Sequence, residues 1–325
     1  MHNSTIKQHY VWRYYLSPWT SNEETDGHIC CLMDNKIFST ALVGIGNQRY
    51  FYKVPNFTER QIQLAKLCNE SLSNDSNLKK ANEKWIEVFQ LPLAVIKQSS
   101  IFIPTNEVNE FYEYMRNNTG ESYHSMIEQF AIKQLVLLKS HDCSFLNNDE
   151  GKGSFYFYLA NQFTRTKRMR DKVLESIAND RNKPEGYSLD SEDEKILDFF
   201  AKIFVSTNLS FALTNKGFRI TFLDNNSELP FVTGDQPVIN TYADYSNNTM
   251  PEKLAFYYPL TPKLAILVHN ESQSALNRDA LTLSSEQVDL YNKMIVTASL
   301  QQIYANDQTT LERYRKREQV NPQVL

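Results

Sequence analysis

Segments with the composition of β-strands occupy both ends of this chain, and a long helical stretch separates them. The strand-rich segments cover residues 1–57 and 214–270, the helical segment covers 58–213, and a C-terminal helix over 284–305 precedes a charged tail, 306–325. Because a strand needs a partner strand, we expect the two ends to meet in one sheet. The order predicts a single α+β domain over residues 1–325, with a mostly helical middle segment packed on an antiparallel or mixed sheet built from N-terminal and C-terminal strands. Two domains divided near residues 57 and 214 are the alternative.

Local patterns give the bounds of the predicted elements. Aromatic and β-branched runs between turn residues predict these strands: Ile29–Met33, Ile37–Val43, Tyr50–Val54, Phe218–Leu223, Phe231–Thr233, Val238–Thr241, Leu254–Tyr258 and Leu264–His269. Apolar residues at helical spacing predict these helices in the middle segment: Glu59–Ser71, Leu78–Gln98, Glu107–Asn117, Tyr123–Lys139, Ser154–Ala178 and Ser191–Leu213.

Charge and cysteine content limit the class of protein. With 34 basic and 38 acidic residues the net charge is −4, so no global field attracts nucleic acid, although a local basic groove remains compatible with this balance. The four cysteines form neither a CxxC pair nor a zinc-binding spacing. The N-terminus lacks an apolar signal region, and no apolar run approaches the roughly 18 residues that a membrane helix needs. We expect a cytoplasmic protein with reduced thiols and no membrane partner.

Familiar catalytic motifs are missing from the sequence. Gly151-Lys152-Gly153-Ser154 lacks the glycine spacing of a Walker A loop, and Gly44-Ile45-Gly46 lacks the third glycine of a dinucleotide-binding turn. No HExxH, GxSxG or EF-hand sequence occurs. The sequence therefore implies no particular cofactor, and a divalent metal ion is compatible with it but not indicated by ligand spacing.

Two charged residues stand in apolar surroundings and are the leading site candidates. Arg165 lies with Gln162 and Thr166 on the inward face of the predicted helix Ser154–Ala178. Because a guanidinium does not lose its proton in a protein, a buried Arg165 needs a carboxylate or an anionic ligand. Asp235 follows an apolar strand at a Gly-Asp turn, so it is either the partner of Arg165 or its neighbour in a shared site. A purely structural ion pair is the other interpretation.

Other polar residues are weaker candidates. His9 stands among aromatic residues, and histidine is the side chain best suited to acid–base chemistry near neutral pH. Tyr10 beside it and Asn292 on the C-terminal helix complete the predicted substrate-binding set with Gln162 and Thr166, although Asn292 also suits a hydrogen bond between helix and sheet. The acids Glu83, Glu87 and Glu128 fall on predicted helices and are expected to be solvated.

Several short motifs occur together in an order that resembles one known family. They are Gln8-His9-Tyr10-Val11 with Tyr15-Leu16, Asn47-Gln48-Arg49-Tyr50-Phe51-Tyr52, Gln162-Phe163-Thr164-Arg165-Thr166, Gly234-Asp235-Gln236-Pro237, Tyr258-Pro259-Leu260-Thr261-Pro262, and the helix carrying Asn292 and Ala298. The set resembles the bacterial domain-of-unknown-function family numbered 4238 nearly end to end. The resemblance implies that His9, Arg165 and Asp235 belong to one shared site, but it implies no activity.

These residues favour a hydrolase that acts on a phosphate-bearing substrate, a nucleotide or nucleic acid. His9, Arg165 and Asp235 would be its catalytic residues, because arginine binds phosphate through two parallel hydrogen bonds and the other two supply acid–base groups. Such a phosphodiesterase or nuclease would suit a toxin or an antiphage effector. A non-enzymatic interaction or scaffold protein with a structural Arg165/Asp235 cluster is the main alternative, and a small-molecule transferase is a third. The oligomeric state is left open.

Overall fold

The computed structural model describes residues 6–20, 27–178, 189–245, 251–270 and 279–315. The helices are α1 (Arg13–Leu16), α2 (Glu59–Leu72), α3 (Ser76–Gln98), α4 (Thr105–Lys139), α5 (Asp149–Thr164), α6 (Lys167–Ala178), α7 (Ser191–Asn215), α8 (Ser285–Ala298) and α9 (Gln308–Glu312). The strands are β1 (Lys7–His9), β2 (His28–Met33), β3 (Lys36–Ala41), β4 (Asn47–Arg49), β5 (Arg219–Asn225), β6 (Thr233–Gly234), β7 (Ile239–Asn240), β8 (Ala255–Thr261), β9 (Leu264–His269), β10 (Ala280–Leu283) and β11 (Ile303–Ala305).

Strands from the two ends of the chain share one sheet, which confirms the predicted α+β class. In the four-stranded sheet of order β3-β2-β11-β6, the C-terminal strand β11 pairs with β2 through Tyr304 and Cys31, and with β6 through Tyr304 and Thr233. The five-stranded sheet has the order β10-β5-β9-β8-β7, in which β10 is parallel to β5 and the remaining neighbours are antiparallel. A third sheet joins β1 and β4.

The five-stranded sheet is buried on both faces. Along β8, Phe256 and Tyr258 belong to the large core shared with the helical segment, whereas Ala255 and Tyr257 belong to a second core on the side of α8. This alternation follows from the two-residue repeat of a strand. The Tyr158 hydroxyl of α5 bonds to that of Tyr258 at 2.7 Å, which fixes the middle helices to the sheet.

Helix α7 is the most apolar helix of the helical segment. By length and composition alone it is the one helix among the described residues that could cross a membrane. It packs, however, against α2, α3, α5 and α6, and Phe200, Phe204 and Ile196 are fully buried there. That environment is typical of the core helix of a globular protein.

Two of the predicted helix boundaries are wrong in the helical segment. The predicted helices Glu107–Asn117 and Tyr123–Lys139 form the single helix α4, because Gly120 continues the helix and allows it to approach the backbone of Tyr52. The predicted helix Ser154–Ala178 is instead two helices, α5 and α6, which separate at Arg165 and Thr166. Thr166 bonds to the side chain of Gln236 and accepts from the N–H of Met169, so its hydroxyl holds the new N-terminus.

The C-terminal and N-terminal boundaries also differ from the prediction. The helix predicted over 284–305 ends at Ala298, and β11 follows it, because the N–H groups after α8 bond to the Asp235 side chain. The strand Tyr50–Val54 is replaced by β4, Asn47–Arg49, since Tyr50 has a φ of 50° and ends the strand. Within the predicted charged tail, α9 is formed, and residues 316–325 lie outside the described residues.

Candidate functional site

A cavity of about 250 Å³ opens between the N-terminal segment and the middle of α4. Its lining from the two elements is His9, Trp12, Arg13 and Tyr14 on one side and Glu121, His124, Ser125 and Glu128 on the other. The α4 residues recur at intervals of three and four, so they share one helical face. We call this the His9 cavity.

Contacts with Gln8 and Tyr52 hold α4 against the N-terminal segment. The Gln8 side chain donates to the carbonyl of Asn117 on α4 at 2.6 Å and accepts from the N–H of Tyr52 at 2.6 Å. Gly120 lies so close to Tyr52 that an added Cβ would stand 2.9 Å from the Tyr52 Cβ and closer still to its carbonyl oxygen. The Tyr52 ring in turn packs on His124 at 4.1 Å between centroids, and its hydroxyl donates to the carbonyl of His9.

A buried ion pair lies behind the cavity and is joined to it by Glu128, which is one of the lining residues. Arg165, 2% exposed, bonds through Nη1 to Oε1 of Glu128 at 2.7 Å and donates from Nη2 to Oε1 of Gln162 at 2.9 Å. Burial raises the pKa of Glu128, while its bond to Arg165 opposes that rise. Neighbouring groups, Tyr52 and Glu128 first, raise the pKa of Arg165 against the effect of burial, so this guanidinium stays charged.

Three titratable groups that line the cavity have pKa values shifted toward their neutral forms. Burial, aided by Arg13, Arg165 and Lys7, lowers the pKa of His9 to about 4. Burial also lowers the pKa of His124 well below its usual value, with Arg165 and Lys202 contributing. Burial raises the pKa of Glu121 to about 7, since the opposing charges of Arg165 and Arg13 only partly compensate. Near neutral pH both imidazoles are therefore uncharged.

Several buried polar atoms of this region have no hydrogen-bond partner among the described residues. Nε2 of His9, Nδ1 of His124 and Oε2 of Glu121 belong to residues that line the cavity. Directly behind them, Nε2 of Gln162 and Nε of Arg165 are also without a partner in the described part of the chain. Buried polar atoms in native proteins almost always have partners, so this cluster fits a site completed by a ligand or water.

Of the sequence-predicted site residues, the structure brings together His9, Arg165 and Gln162. His9 lines the cavity, and Arg165 with Gln162 lies behind it. The anticipated carboxylate next to Arg165 is Glu128 rather than Asp235. The prediction that Glu128 is solvated is wrong: the residue is 8% exposed, because α4 carries it into the core opposite Arg165.

Asp235 occupies a different place, which we call the Asp235 turn (residues 234–237). Its carboxylate accepts hydrogen bonds from the N–H groups of Leu300 at 2.7 Å, Gln301 at 2.7 Å and Gln302 at 3.0 Å. These bonds turn the chain from α8 into β11, and Asp235 is not among the residues that line the His9 cavity.

The other predicted substrate-binding residues lie near that turn. Thr166 is bonded to Gln236, and Asn292 accepts from the N–H of Val232 and donates to the carbonyl of Pro230. Both are fully buried. Tyr10 is buried between the two regions, and burial with the charge of Asp235 raises its pKa. The structure thus divides the predicted set between a cavity and a turn.

Sequence reasoning missed Arg13, Glu121 and His124. The signal for the last two was the spacing Glu121, His124 and Glu128, which marks one face of a continuous helix. The predicted helices Glu107–Asn117 and Tyr123–Lys139 leave Glu121 in the gap between them, which hides that spacing. Among the described residues no group of three or more histidine, cysteine, aspartate or glutamate side chains is placed to hold a metal ion. The cavity offers two uncharged imidazoles, a carboxyl group whose pKa is raised to about 7, the exposed Arg13, and the buried Arg165 behind Glu128.

Comparison with known proteins identifies a family. A family model described as "Protein of unknown function (DUF4238)" matches residues 7–309, which include the His9 cavity and the Asp235 turn. No curated protein and no solved structure matches the chain.

Proposed function

The chain belongs to the DUF4238 family of proteins of unknown function, and we propose that it is a hydrolase whose His9 cavity binds and cleaves a phosphate-bearing substrate. The observation that carries the proposal is the placement of an arginine beside His9. Arg13 lines the cavity, and it adds to the effect of burial in lowering the pKa of the His9 imidazole. A cation in this position attracts anions and would stabilise the charge that develops on a phosphoryl group during cleavage.

The shape and chemistry of the cavity support a nucleotide or nucleic acid as the substrate class. A volume of about 250 Å³ suits a phosphoryl group with part of its sugar more than an extended duplex. Trp12 and Tyr14, whose rings are 4.8 Å apart, stand in the wall beside Arg13. Aromatic side chains next to an arginine are typical of sites that bind single-stranded nucleic acid, because every base has a face that stacks.

The roles of the residues differ from those that the sequence favoured. His9, with Nε2 buried in the cavity and neutral above about pH 4, is the base that would accept a proton from water. Arg13 would contact the phosphate, and Arg165, held by Glu128 and Gln162 behind the cavity, would keep Glu128 in place and its charge neutralised. Asp235 has no catalytic role in this proposal, because its carboxylate holds the chain after α8.

The cellular role that we propose is that of a toxin or antiphage effector in the cytoplasm, for which cleavage of nucleotides or nucleic acid would be the natural activity. The described cysteines support the compartment. Cys30, Cys31, Cys68 and Cys143 are all free thiols, as is usual in proteins of a reducing environment.

Binding of inorganic phosphate and of nucleoside monophosphates, measured by calorimetry on the full chain at pH 7, tests the proposal. We expect Arg13→Gln to weaken phosphate affinity about tenfold or more, because it removes a charge-assisted contact. Arg49→Gln, at an exposed position on β4, is the matched control and should bind like the wild type. Equal phosphate affinity of both variants, or no binding and no cleavage of phosphodiesters by the wild type, would contradict the proposal.

A second candidate function, an interaction protein, is favoured by one separate observation. Ile101 and Phe102, which connect α3 to α4, are 78% and 88% exposed, and Val95 and Phe130 are also largely exposed. Exposed apolar groups of this size are characteristic of protein-binding surfaces. This function predicts that Phe102→Ser abolishes capture of a partner while phosphate binding is unchanged.

A further inference from the structure

Both walls of the His9 cavity carry titratable groups. The N-terminal wall presents His9 and Arg13, and the α4 wall presents a second imidazole, His124, and two carboxyl groups, Glu121 and Glu128. The two glutamates are seven residues apart and therefore point from the same face of α4. They are not equivalent, because only one of them contacts the buried cation.

Glu128 forms the ion pair with Arg165. The guanidinium bonds to Oε1 of Glu128 and to Gln162, whereas Oε2 of Glu121 is buried with no hydrogen-bond partner among the described residues. Glu121 is half-buried, and a carboxylate oxygen that is buried without a partner is costly, a cost that the protonated carboxyl group reduces. The geometry thus leaves Glu121 as the group that holds a proton.

His9 is in the complementary state. Its Nε2 is buried in the same cavity without a partner in the described part of the chain, and burial, aided by Arg13, disfavours a second proton. From about pH 4, the pKa of His9, to about pH 7, the pKa of Glu121, the imidazole is free to accept a proton and the carboxyl group is able to donate one. Two groups held in opposite states by their environments are the usual arrangement of an acid–base pair.

We propose that Glu121 is the proton donor of this cavity, an inference that rests on the proposed hydrolase function. Nε2 of His9 takes a proton from a water molecule as the water oxygen bonds to phosphorus. The bond from phosphorus to the leaving oxygen breaks, and the Glu121 carboxyl proton passes to that oxygen. The products are a phosphate monoester and an alcohol. The proton on His9 returns through solvent to Glu121, so atoms and charge balance over one turnover.

The groups that face Glu121 come from four parts of the fold. They are His9, Arg13 and Tyr14 from the N-terminal segment, Tyr52 after β4, His124 and Glu128 on α4, and Arg165 after α5. Of these, Glu128 supports the protonated state of Glu121, while Arg165 and Arg13 oppose it. A change of any of these charges is expected to shift the pH above which hydrolytic activity declines.

The test uses the full chain, two substrates and three variants. One substrate is a dinucleotide, whose leaving oxygen needs a proton, and the other is a p-nitrophenyl phosphodiester, whose leaving group departs without one. We expect Glu121→Gln to lower kcat for the dinucleotide about 100-fold or more and to remove the decline above pH 7, with little effect on the p-nitrophenyl ester. His9→Asn should lower kcat for both substrates, and Glu110→Gln, at an exposed position near the start of α4, should leave both unchanged.

The outcomes distinguish a failure of the Glu121 proposal from a failure of the proposed hydrolase function. If Glu121→Gln retains the wild-type rate and pH profile, Glu121 is not the proton donor. The same follows if kcat falls equally for both substrates while the variant folds normally. In both cases the hydrolase proposal stands. A wild-type chain that cleaves neither substrate and binds no inorganic phosphate overturns both. Unfolding of Glu121→Gln is measured by circular dichroism at pH 6, where the neutral amide resembles the protonated carboxyl group.

Discussion

The Asp235 turn and the His9 cavity are both built from buried polar residues, but they differ in whether those residues have partners. The Asp235 carboxylate accepts three backbone N–H groups, and Gln236 is bonded to Thr166, Phe163 and Val238. In the cavity, His9, His124 and Glu121 each have a buried polar atom that no described residue satisfies. A satisfied cluster stabilises the fold, whereas an unsatisfied one lowers stability unless something binds there.

This contrast shows how a structural polar cluster can be separated from a site. Residue type alone does not separate them, because an aspartate in an apolar segment fits both. What distinguishes the two regions is the direction in which ligands or substitutions change the free energy of unfolding. Replacing a satisfied group should cost stability, while replacing an unsatisfied group should cost little or increase it, as trade-offs between stability and function predict.

The greatest loss of stability is expected at Asp235. Asp235→Ala leaves the N–H groups of Leu300, Gln301 and Gln302 without their acceptor, so we expect a loss of about 4 kcal/mol or more in the free energy of unfolding. Urea denaturation at pH 7 measures it. Asp75→Ala is the matched control, since Asp75 caps the exposed N-terminus of α3 through two N–H groups and should cost about 1 kcal/mol. Equal losses would remove the distinction between the two regions.

The next largest loss of stability is expected where Gly120 of α4 contacts the backbone of Tyr52. Gly120→Ala places a Cβ against the Tyr52 backbone, and overpacking of this kind costs about 1–3 kcal/mol. Alanine is otherwise favoured over glycine inside a helix by about 1 kcal/mol, so a loss here identifies the close approach. Gly153→Ala in α5 is the control, because a Cβ there meets nothing within 4 Å, and it should raise stability. Thermal unfolding of both variants decides the point, and a gain at Gly120 would contradict this account of how α4 docks.

Much of the fold followed from local pattern, as α3 and α7 illustrate. Both were predicted to within a few residues, since their apolar spacing agrees with the tertiary structure. The errors lie where a distant contact overrides local preference. Gly120 is a poor helix former, yet α4 continues through it because the Tyr52 backbone lies against it. The helix predicted to run through Arg165 divides there, since Thr166 bonds to Gln236 in the far part of the chain.

The site was predictable only in part for the same reason. His9 and Arg165 were found because a polar residue among aromatic residues and an arginine on an inward helical face are visible in the sequence. The pairing of Arg165 with Glu128, and of Asp235 with the N–H groups after α8, depends on elements far apart in the chain. No local pattern indicates which carboxylate an arginine meets.

A smaller effect, with the opposite sign, is expected at Glu121. Its pKa of about 7 in the folded chain is higher than the usual value, so the folded state binds the proton more tightly than the unfolded state does. The stability that this proton gives is present at low pH and is lost as the pH rises toward and through 7. Glu121→Gln should therefore be about 1–2 kcal/mol more stable than the wild type at pH 8, after discounting for partial exposure, and similar to it at pH 4.

Urea denaturation at both pH values measures the effect of Glu121→Gln, with Glu110→Gln, exposed on the same helix, as the control. A variant that is less stable than the wild type at pH 8 would show that the Glu121 carboxylate is satisfied. That result would group Glu121 with the satisfied residues of the Asp235 turn and not with the unsatisfied residues of the His9 cavity.

The weakest effect is expected at His9 and arises in acid. The pKa of His9 is lowered to about 4 in the folded chain, so between its usual value near 6.5 and about pH 4 the unfolded chain binds a proton that the folded chain does not. Stability of the wild type should therefore fall as the pH decreases through this range. His9→Asn removes that contribution. The free energy of unfolding of the variant minus that of the wild type should therefore be about 1 kcal/mol larger at pH 5 than at pH 7.5, after discounting for partial exposure.

Urea denaturation across this pH range measures the acid slope of His9→Asn, and His28→Asn, exposed on β2, is the matched control. If His9→Asn keeps the wild-type slope, the imidazole is not held neutral by the cavity, and its role as the base loses its support. If the slope flattens and added phosphate stabilises the wild type more than the variant, the polar atoms of the cavity are held for an anion, which is the property that separates this region from the Asp235 turn.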